Sequence, residues 1–457
     1  MTTTQKDKQF VWHPFTHQLS AEVPINIVSG EGIYLIDENG KKYVDAISSW
    51  WVNLHGHCNP YISKKISEQL VKLEHSIFSG FTHPGAVVLA ERLLKHLPNN
   101  QNKIFYSDNG STSVEVALKM VLQYWSNKNE SRTVFIAFEN AYHGDTFGSM
   151  SVGARNVFNN AFDKLLFDVV HIPLPTNENI NEIKNTFLQL AGSNKIAGFI
   201  FEPLVQGAAG MQMYDEKLLD ELISICKQHQ IITIADEVMT GFGRTGKFFA
   251  SDYLENKPDI FCLSKGLTGG YLPLGVTSCT NFIHDAFLSE DKTKTFFHGH
   301  SYTANPTSCS AALASLDLME KEETWQQIRM IELSHLGFVE RIKAGDFESL
   351  NHQASVSERP LSLRAAELVE ASKGVERKSK SFTIRTKGTI IAFELKTSEG
   401  TNYLNSESEN ISKFFIDRGI IIRPLGNIFY LIPPYVITKE ELEGIYKVIE
   451  EFLMERR

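Results

Sequence analysis

Between about Pro60 and Ala311 helix-like stretches alternate with short apolar runs, among them ALKMVLQYW, TVFIAF, AGFIFEPL, IITIADEV and DIFCLSK. Such alternation builds a largely parallel sheet with helices on both faces. Ligands of these sheets bind beyond the carboxyl ends of the strands, so the residues that close the apolar runs are the ones to inspect for chemistry.

Around this block the pattern changes. The first sixty residues read as irregular segments and short strands, with a hairpin signal at Asn39-Gly40 inside GEGIYLIDENGKKYVDAIS. After Pro306 a long helical stretch leads into a final α+β portion, in which GTIIAFEL, IIIRPLG and IFYLIPP read as strands and KEELEGIYKVIEEFLMERR as a closing helix. A chain of 457 residues holds roughly two or three folding units. The expected division is a large domain over 60–311 and a smaller domain made of 1–59 and 312–457. Residues 351–381 are compositionally odd and read as a surface insertion; SLRAAELVEASKG within it resembles a short exposed helix ending at Gly374. Long surface insertions cost little free energy, so folding and activity are expected to survive its removal.

Composition narrows the class of function. Hydrophobic residues are 42% and charged residues 22%, an ordinary globular balance. A net charge of −9 argues against nucleic acid, which calls for a dense basic face, and favours small-molecule partners. The start, MTTTQKDKQF, is polar, and no segment reaches the ~18 apolar residues of a membrane span, so a cytoplasmic location is expected. The cysteines, Cys58, Cys226, Cys262, Cys279 and Cys309, are far apart, without a CxxC pair, and read as reduced, mostly buried thiols.

Two run ends carry the chemistry. IITIADEV delivers Asp236 and Glu237 to a strand's carboxyl end, and DIFCLSKG ends in Lys265, followed by Gly266, where the backbone is expected to turn. A lysine at the mouth of such a sheet is a candidate Schiff-base former. A pyridine-type cofactor withdraws electrons only while its ring nitrogen stays protonated, and a buried carboxylate such as Asp236 would keep it so. Burial would also help Lys265 lose its proton for attack on an aldehyde and for proton transfer. Alone, an Asp and a Lys at strand ends are weak evidence against ordinary ion pairing.

SDNGSTSVEVALKMVLQYW adds weight. Gly110, Ser111 and Thr112 precede a helix with apolar residues at 114, 117, 118, 121, 122 and 125, and Thr112 with Glu115 fits a capping box. The free N–H groups of that end form a phosphate seat, unless the end is simply a cap. In NAYHGDTFGSMS, Tyr142 could stack on a flat ring. GFGRTGKF fits a dinucleotide or Walker pattern only superficially: Phe248 occupies the position of the magnesium-binding Ser or Thr, and no helix follows at once. His55-Gly-His57 and His298-Gly-His300 lack a third ligand at a recognisable spacing and read as hydrogen-bonded or solvated histidines, with no metal expected.

Taken in order, GST at 110–112, YHGDT at 142–146, EP-x-x-QG from Glu202, ADEV-x-TGFGRTG from Ala235, SKGLTGG from Ser264 and HGHSYTANP from His298 resemble the class III aminotransferases of the fold-type I pyridoxal-phosphate group. The resemblance covers nearly the whole chain. WHPFT at 12–16, SSWW at 48–51, HGH at 55–57 and RPLGNIFYLIPPY at 423–435 resemble the biotin-pathway branch, which moves the amino group of S-adenosylmethionine to 8-amino-7-oxononanoate. The resemblance implies an α/β fold with a large domain and a smaller α+β domain, and pyridoxal 5'-phosphate held covalently by Lys265. Asp236 would pair with the ring nitrogen, Gly110 and Ser111 would bind the phosphate, and Tyr142 would stack on the ring. Ser301, with His300 beside it, would reach the phosphate from the other subunit of a homodimer. A long-chain oxo-acid calls for an apolar groove with one cation. Phe15, Trp50 and Trp51 would form that groove, Arg423 would bind the carboxylate, and Lys265 and Tyr430 would be further substrate contacts. If Trp50-Trp51 lies in a strand, one ring faces inward and the other outward. Phe15 is a departure, since family members often have tyrosine there, and S-adenosylmethionine and lysine remain alternative donors. Other class III aminotransferases of terminal amines, or an aminomutase, share the cofactor residues; a non-catalytic regulator fits poorly with the acidic charge and the presence of Lys265.

Overall fold

The computed structural model describes residues 1–344, 375–378 and 381–456. After a helix at Thr3–Phe10 comes an N-terminal meander of β1 (Ile27–Glu31), β2 (Tyr34–Asp37) and β3 (Lys42–Asp45). The expected hairpin joins β2 to β3. Gly40 takes φ +80 there, and Asp37 Oδ1 accepts the amides of Asn39 and Lys41 at 2.9 Å each, an aspartate turn that needs a residue free to enter the left-handed region.

The alternating block yields β4 (Gln101–Ser107), β5 (Val134–Phe138), β6 (Val169–Ile172) and β7 (Ile196–Phe201). The short pair β8 (Val205–Gln206) and β9 (Gln212–Met213) follows, then β10 (Ile232–Asp236), β11 (Ile260–Leu263) and β12 (Gly275–Thr280). Seven of these form one sheet in the order β4-β12-β11-β10-β7-β5-β6. Every residue of β7, β10 and β11 is buried, the signature of strands covered on both faces. The sheet is parallel except for β12, which runs against both β11 and β4. In register, Asp236 stands level with Cys262, so the next residues of both strands emerge at one edge.

After helices Pro306–Met319 and Glu322–Ala344, the chain forms β13 (Val375–Lys378), β14 (Phe382–Lys387), β15 (Ile390–Leu395), β16 (Ile420–Ile421) and β17 (Ile428–Leu431). Four of them make an antiparallel sheet, β13-β14-β15-β17, while β16 pairs in parallel with β3 and so joins the N-terminal meander to the C-terminal portion. The expected strand GTIIAFEL is β15, and the expected closing helix is Lys439–Met454, opened by a Thr438/Glu441 capping box. Its apolar stripe, Leu442, Ile445, Tyr446, Ile449 and Phe452, is buried. The proposed helix in SLRAAELVEASKG, and most of the 351–381 insertion, lie outside the described residues.

Two local expectations need correction. The first concerns the helix Gly110–Asn127, whose capping box pairs Asn109 with Thr112, not Thr112 with Glu115. Asn109 extends the chain into the helix and accepts the Thr112 amide at 3.0 Å, while Glu115 Oε1 takes the amides of Gly148 and Ser149 in the neighbouring helix Phe147–Val152. The second concerns Trp50-Trp51, which lie in no strand. Ser48, Ser49 and Trp51 have φ of 53, 62 and 66, a tight left-handed turn that Asp45 holds through the Ser49 amide at 2.8 Å.

All five cysteines are free; Cys58 is exposed and the other four are buried. Among the described residues no helix is long and apolar enough to cross a membrane.

Candidate active site

One cavity of about 590 Å³ opens where β10 and β11 end. Gly110, Ser111, Tyr142, Asp236 and Lys265 line it, together with Phe15, Trp50, Trp51 and Arg423, so the cofactor and substrate candidates share a single space.

Lys265 leaves β11 through Ser264 with φ 45. The left-handed turn therefore falls on the lysine itself rather than on Gly266, a strained conformation of the kind that gathers at functional sites. Gly266 serves close packing instead: a Cβ there would meet Leu54 Cδ1 at 3.1 Å. Lys265 Nζ lies 4.5 Å from the Trp51 ring centroid. Burial lowers its pKa to about 8; Arg244 adds to the fall, while Asp236 and Glu202 oppose it.

Asp236 closes β10 with both oxygens engaged. Oδ2 is 2.7 Å from His143 Nδ1, and Oδ1 accepts the Val238 amide at 3.1 Å. Among the described residues, Nε2 of the buried His143 has no hydrogen-bond partner. Glu202, just past β7, also lines the cavity. It accepts the amides of Tyr142 at 3.1 Å and Gly207 at 2.9 Å, and burial raises its pKa to about 7. Burial also raises the Tyr142 phenol, with Asp145 adding.

The helix Gly110–Asn127 points its N-terminus at this cavity because its first turn is tied across the sheet: Thr277 Oγ1 donates to Ser113 O at 2.7 Å. Gly110 packs on Val238, where a Cβ would fall 2.7 Å from Cγ1. Gly144, with φ +128, abuts Ser111 so closely that a Cβ would lie 2.0 Å from its Oγ. The N–H groups of Gly110 and Ser111 have no partner within the helix. A backbone-lined anion seat, a buried carboxylate and a lysine whose pKa has fallen toward neutrality fit a flat, phosphorylated pyridine aldehyde.

The other wall is aromatic. Phe15 meets Trp50 and Phe158 edge-on at 5.7 Å each, and Phe158 meets Tyr403 at 4.6 Å. The Arg423 guanidinium stacks 4.0 Å from the Trp50 ring centroid and donates to Tyr403 Oη at 3.2 Å. Both tryptophans reach the cavity, because the left-handed turn cancels strand alternation.

Three candidates lie elsewhere. Tyr430, on β17, is 1% exposed; its hydroxyl accepts the Trp51 indole N–H at 2.9 Å, so it stands behind Trp51 and outside the cavity lining. In this single chain His300 and Ser301 are also outside the lining. Ser301 is exposed and its carbonyl faces His75 Nε2 at 2.6 Å, while His300 Nε2 is buried without a partner among the described residues. Among the described residues no group of three or more His, Cys, Asp or Glu could hold a metal. The GFGRTG loop has a structural role: the buried Arg244 donates to the carbonyls of Pro433 at 2.9 Å, Asn53 at 3.1 Å and Trp51 at 3.5 Å.

The family model for class-III aminotransferases matches residues 16–351 and 341–453. This chain is a class-III aminotransferase. A relative from Synechococcus elongatus, named adenosylmethionine-8-amino-7-oxononanoate aminotransferase, is 42% identical over 97% of this chain and 98% of its own. The crystal structure of an enzyme of the same name from Methanocaldococcus jannaschii superposes with a TM-score of 0.84 at 35% identity, covering 99% of this chain and 98% of that one. An amine transaminase from an uncultivated Pseudomonas species, solved in a PLP-bound form, gives 0.81 at 29% identity, covering 96% of this chain and 97% of that one. The sequence motifs of this class-III aminotransferase expose Glu202 and His143 without roles, and they give no sign of Phe158 or Tyr403.

Proposed function

We propose that the enzyme transfers the amino group of S-adenosylmethionine to 8-amino-7-oxononanoate, giving 7,8-diaminononanoate for biotin synthesis, in two half-reactions on pyridoxal 5'-phosphate. It works in the cytoplasm as a homodimer, with 60–311 as the cofactor-binding domain and 1–59 with 312–457 as the small one. The observation that carries this reading is that the Lys265/Asp236 pair and the Trp50/Arg423 wall face the same cavity. The names of full-length relatives support the choice of substrates.

When bound, pyridoxal 5'-phosphate supplies an aldehyde that takes up amines and a ring that draws electrons from the carbon bearing them. Lys265, whose pKa burial lowers to about 8, would hold that aldehyde, and its Nζ, as the neutral amine, would take the proton from the donor carbon and return it across the cavity. Asp236 holds a proton at the ring nitrogen, and His143 fixes the carboxylate that does so. The Gly110 and Ser111 amides seat the phosphate, Tyr142 faces the ring, and Ser301 and His300 of the second subunit complete the seat. Phe15, Trp50 and Trp51 exclude water and hold the alkyl chain, Tyr430 steadies Trp51, and Arg423 takes the distant carboxylate.

The test is a visible absorption spectrum of the purified protein with added cofactor. A band that S-adenosylmethionine removes, lysine does not, and 8-amino-7-oxononanoate restores is the expected result. A band indifferent to this pair would reject the substrates, and no band at all would reject the cofactor.

A further inference from the structure

We infer that Tyr403 is a positioning residue for the acceptor: it fixes the Arg423 guanidinium against the cavity wall and so sets how tightly the carboxylate end is held. The inference deepens the function proposed above and rests on Arg423 as the carboxylate anchor.

Arg423 sits in the short link between β16 and β17. An arginine on its long stem ordinarily gives up rotamer freedom when it grips a ligand. Here that freedom is already lost. Nη2 is bonded to Tyr403 Oη at 3.2 Å, and the guanidinium lies 4.0 Å from the Trp50 ring centroid and 5.4 Å from that of Phe15. Tyr403 takes only one of the guanidinium's five N–H donors, so the others remain for a carboxylate. As an acceptor toward arginine, the phenol also keeps its own proton to give.

Tyr403 can play this part because its loop is stapled. Asn405 Nδ2 bonds Thr397 Oγ1 and Gly400 O at 2.8 Å each, and Asn427 Nδ2 bonds Leu395 O at 2.6 Å. The loop also lies directly on the link that carries Arg423. Gly426 has φ +65, and a Cβ on it would fall 1.8 Å from Asn402 O, an approach only glycine permits. On its other side the Tyr403 ring meets Phe158 edge-on at 4.6 Å, and Phe158 meets Phe15 at 5.7 Å. Phe15, Trp50, Arg423, Tyr403 and Phe158 thus close a circuit of side chains around one part of the cavity lining.

The experiment is steady-state kinetics of wild type, Tyr403→Phe, Arg423→Ala and the double variant, with 8-amino-7-oxononanoate and its methyl ester as acceptors. Tyr403→Phe is expected to raise KM for the acid about 5- to 10-fold, the net effect of losing one ordinary hydrogen bond. It should keep kcat within about twofold, leave KM for the ester and the donor half-reaction unchanged, and add nothing to Arg423→Ala. An unchanged KM for the acid in an enzyme that otherwise prefers acid to ester would overturn this inference alone, as would an equal rise for acid and ester, which would mean a merely structural role. A wild type indifferent to the carboxylate would sink the Arg423 anchor and this inference with it.

Discussion

Lys265 is a cation placed where a cation is costly, and opposing charges decide its protonation. Its pKa is depressed to about 8 by burial and Arg244, with Asp236 pulling upward. The neutral amine is therefore scarce below pH 8 and dominant above it. Capture of cofactor by the empty protein should accelerate about tenfold per pH unit up to that point and then level off, as stopped-flow absorbance would show. Asp236→Asn removes an upward pull, so the break should move to lower pH; a break that moved up or stayed put would contradict this balance. Lys265→Ala should lose roughly 10²- to 10⁴-fold in turnover, the span of one positioned acid–base group. On the opposite wall, Arg423→Ala should raise acceptor KM roughly 10- to 100-fold with little change in the donor half-reaction, as expected for loss of a charged hydrogen-bonded pair.

Elements decide how accurately these residues are held. The helix Gly110–Asn127 can serve as an anion seat only because Gly144 lets the next loop press on Ser111. Gly144→Ala should therefore weaken cofactor binding at least about tenfold while leaving the fold intact by circular dichroism, since its φ of +128 and the 2.0 Å clash both act at the seat. The GFGRTG loop works through Arg244, which satisfies the carbonyls of Trp51, Asn53 and Pro433. Arg244→Met leaves those oxygens without donors but releases a buried charge, a net loss of about 2–4 kcal/mol, to be read as a lower melting midpoint. At this scale the sequence is uneven as a guide. The apolar runs of β7, β10 and β11 announce themselves because both faces are buried. β12 does not, since GVTSCT looks like a loop; its Thr277 and Ser278 hydroxyls are buried on Ser113 O and Gln101 Oε1, at 2.7 Å each. The turn through Ser48–Trp51 is equally hidden. Its left-handed non-glycine residues are held by Asp45 and by the Ile432 carbonyl, which accepts from Ser48 Oγ at 2.6 Å, partners that no local pattern reveals.

The whole molecule assembles its site from distant stretches of chain. Lys265, Asp236 and the helix end come from one sheet and were legible as run ends, whereas Phe158 and Tyr403 are lone aromatics that tertiary packing alone brings to the cavity. If Ser301 serves the neighbouring subunit, Ser301→Asp should expel cofactor by placing a carboxylate against its phosphate. Mixing Ser301→Asp chains with Lys265→Ala chains should then restore activity neither homodimer has, because each mixed dimer contains one intact site; failure to complement after proven subunit exchange would argue against sharing. The parallel pairing of β3 with β16 has a consequence on the ribosome. The strand that completes the N-terminal meander emerges only after the entire central sheet has been synthesised, so Lys265 and Asp236 are in the chain well before Arg423 is added. Arg423 and Leu425 are thus the last of the cavity's lining to be synthesised, and a chain ending before Ile420 lacks the acceptor's anchor.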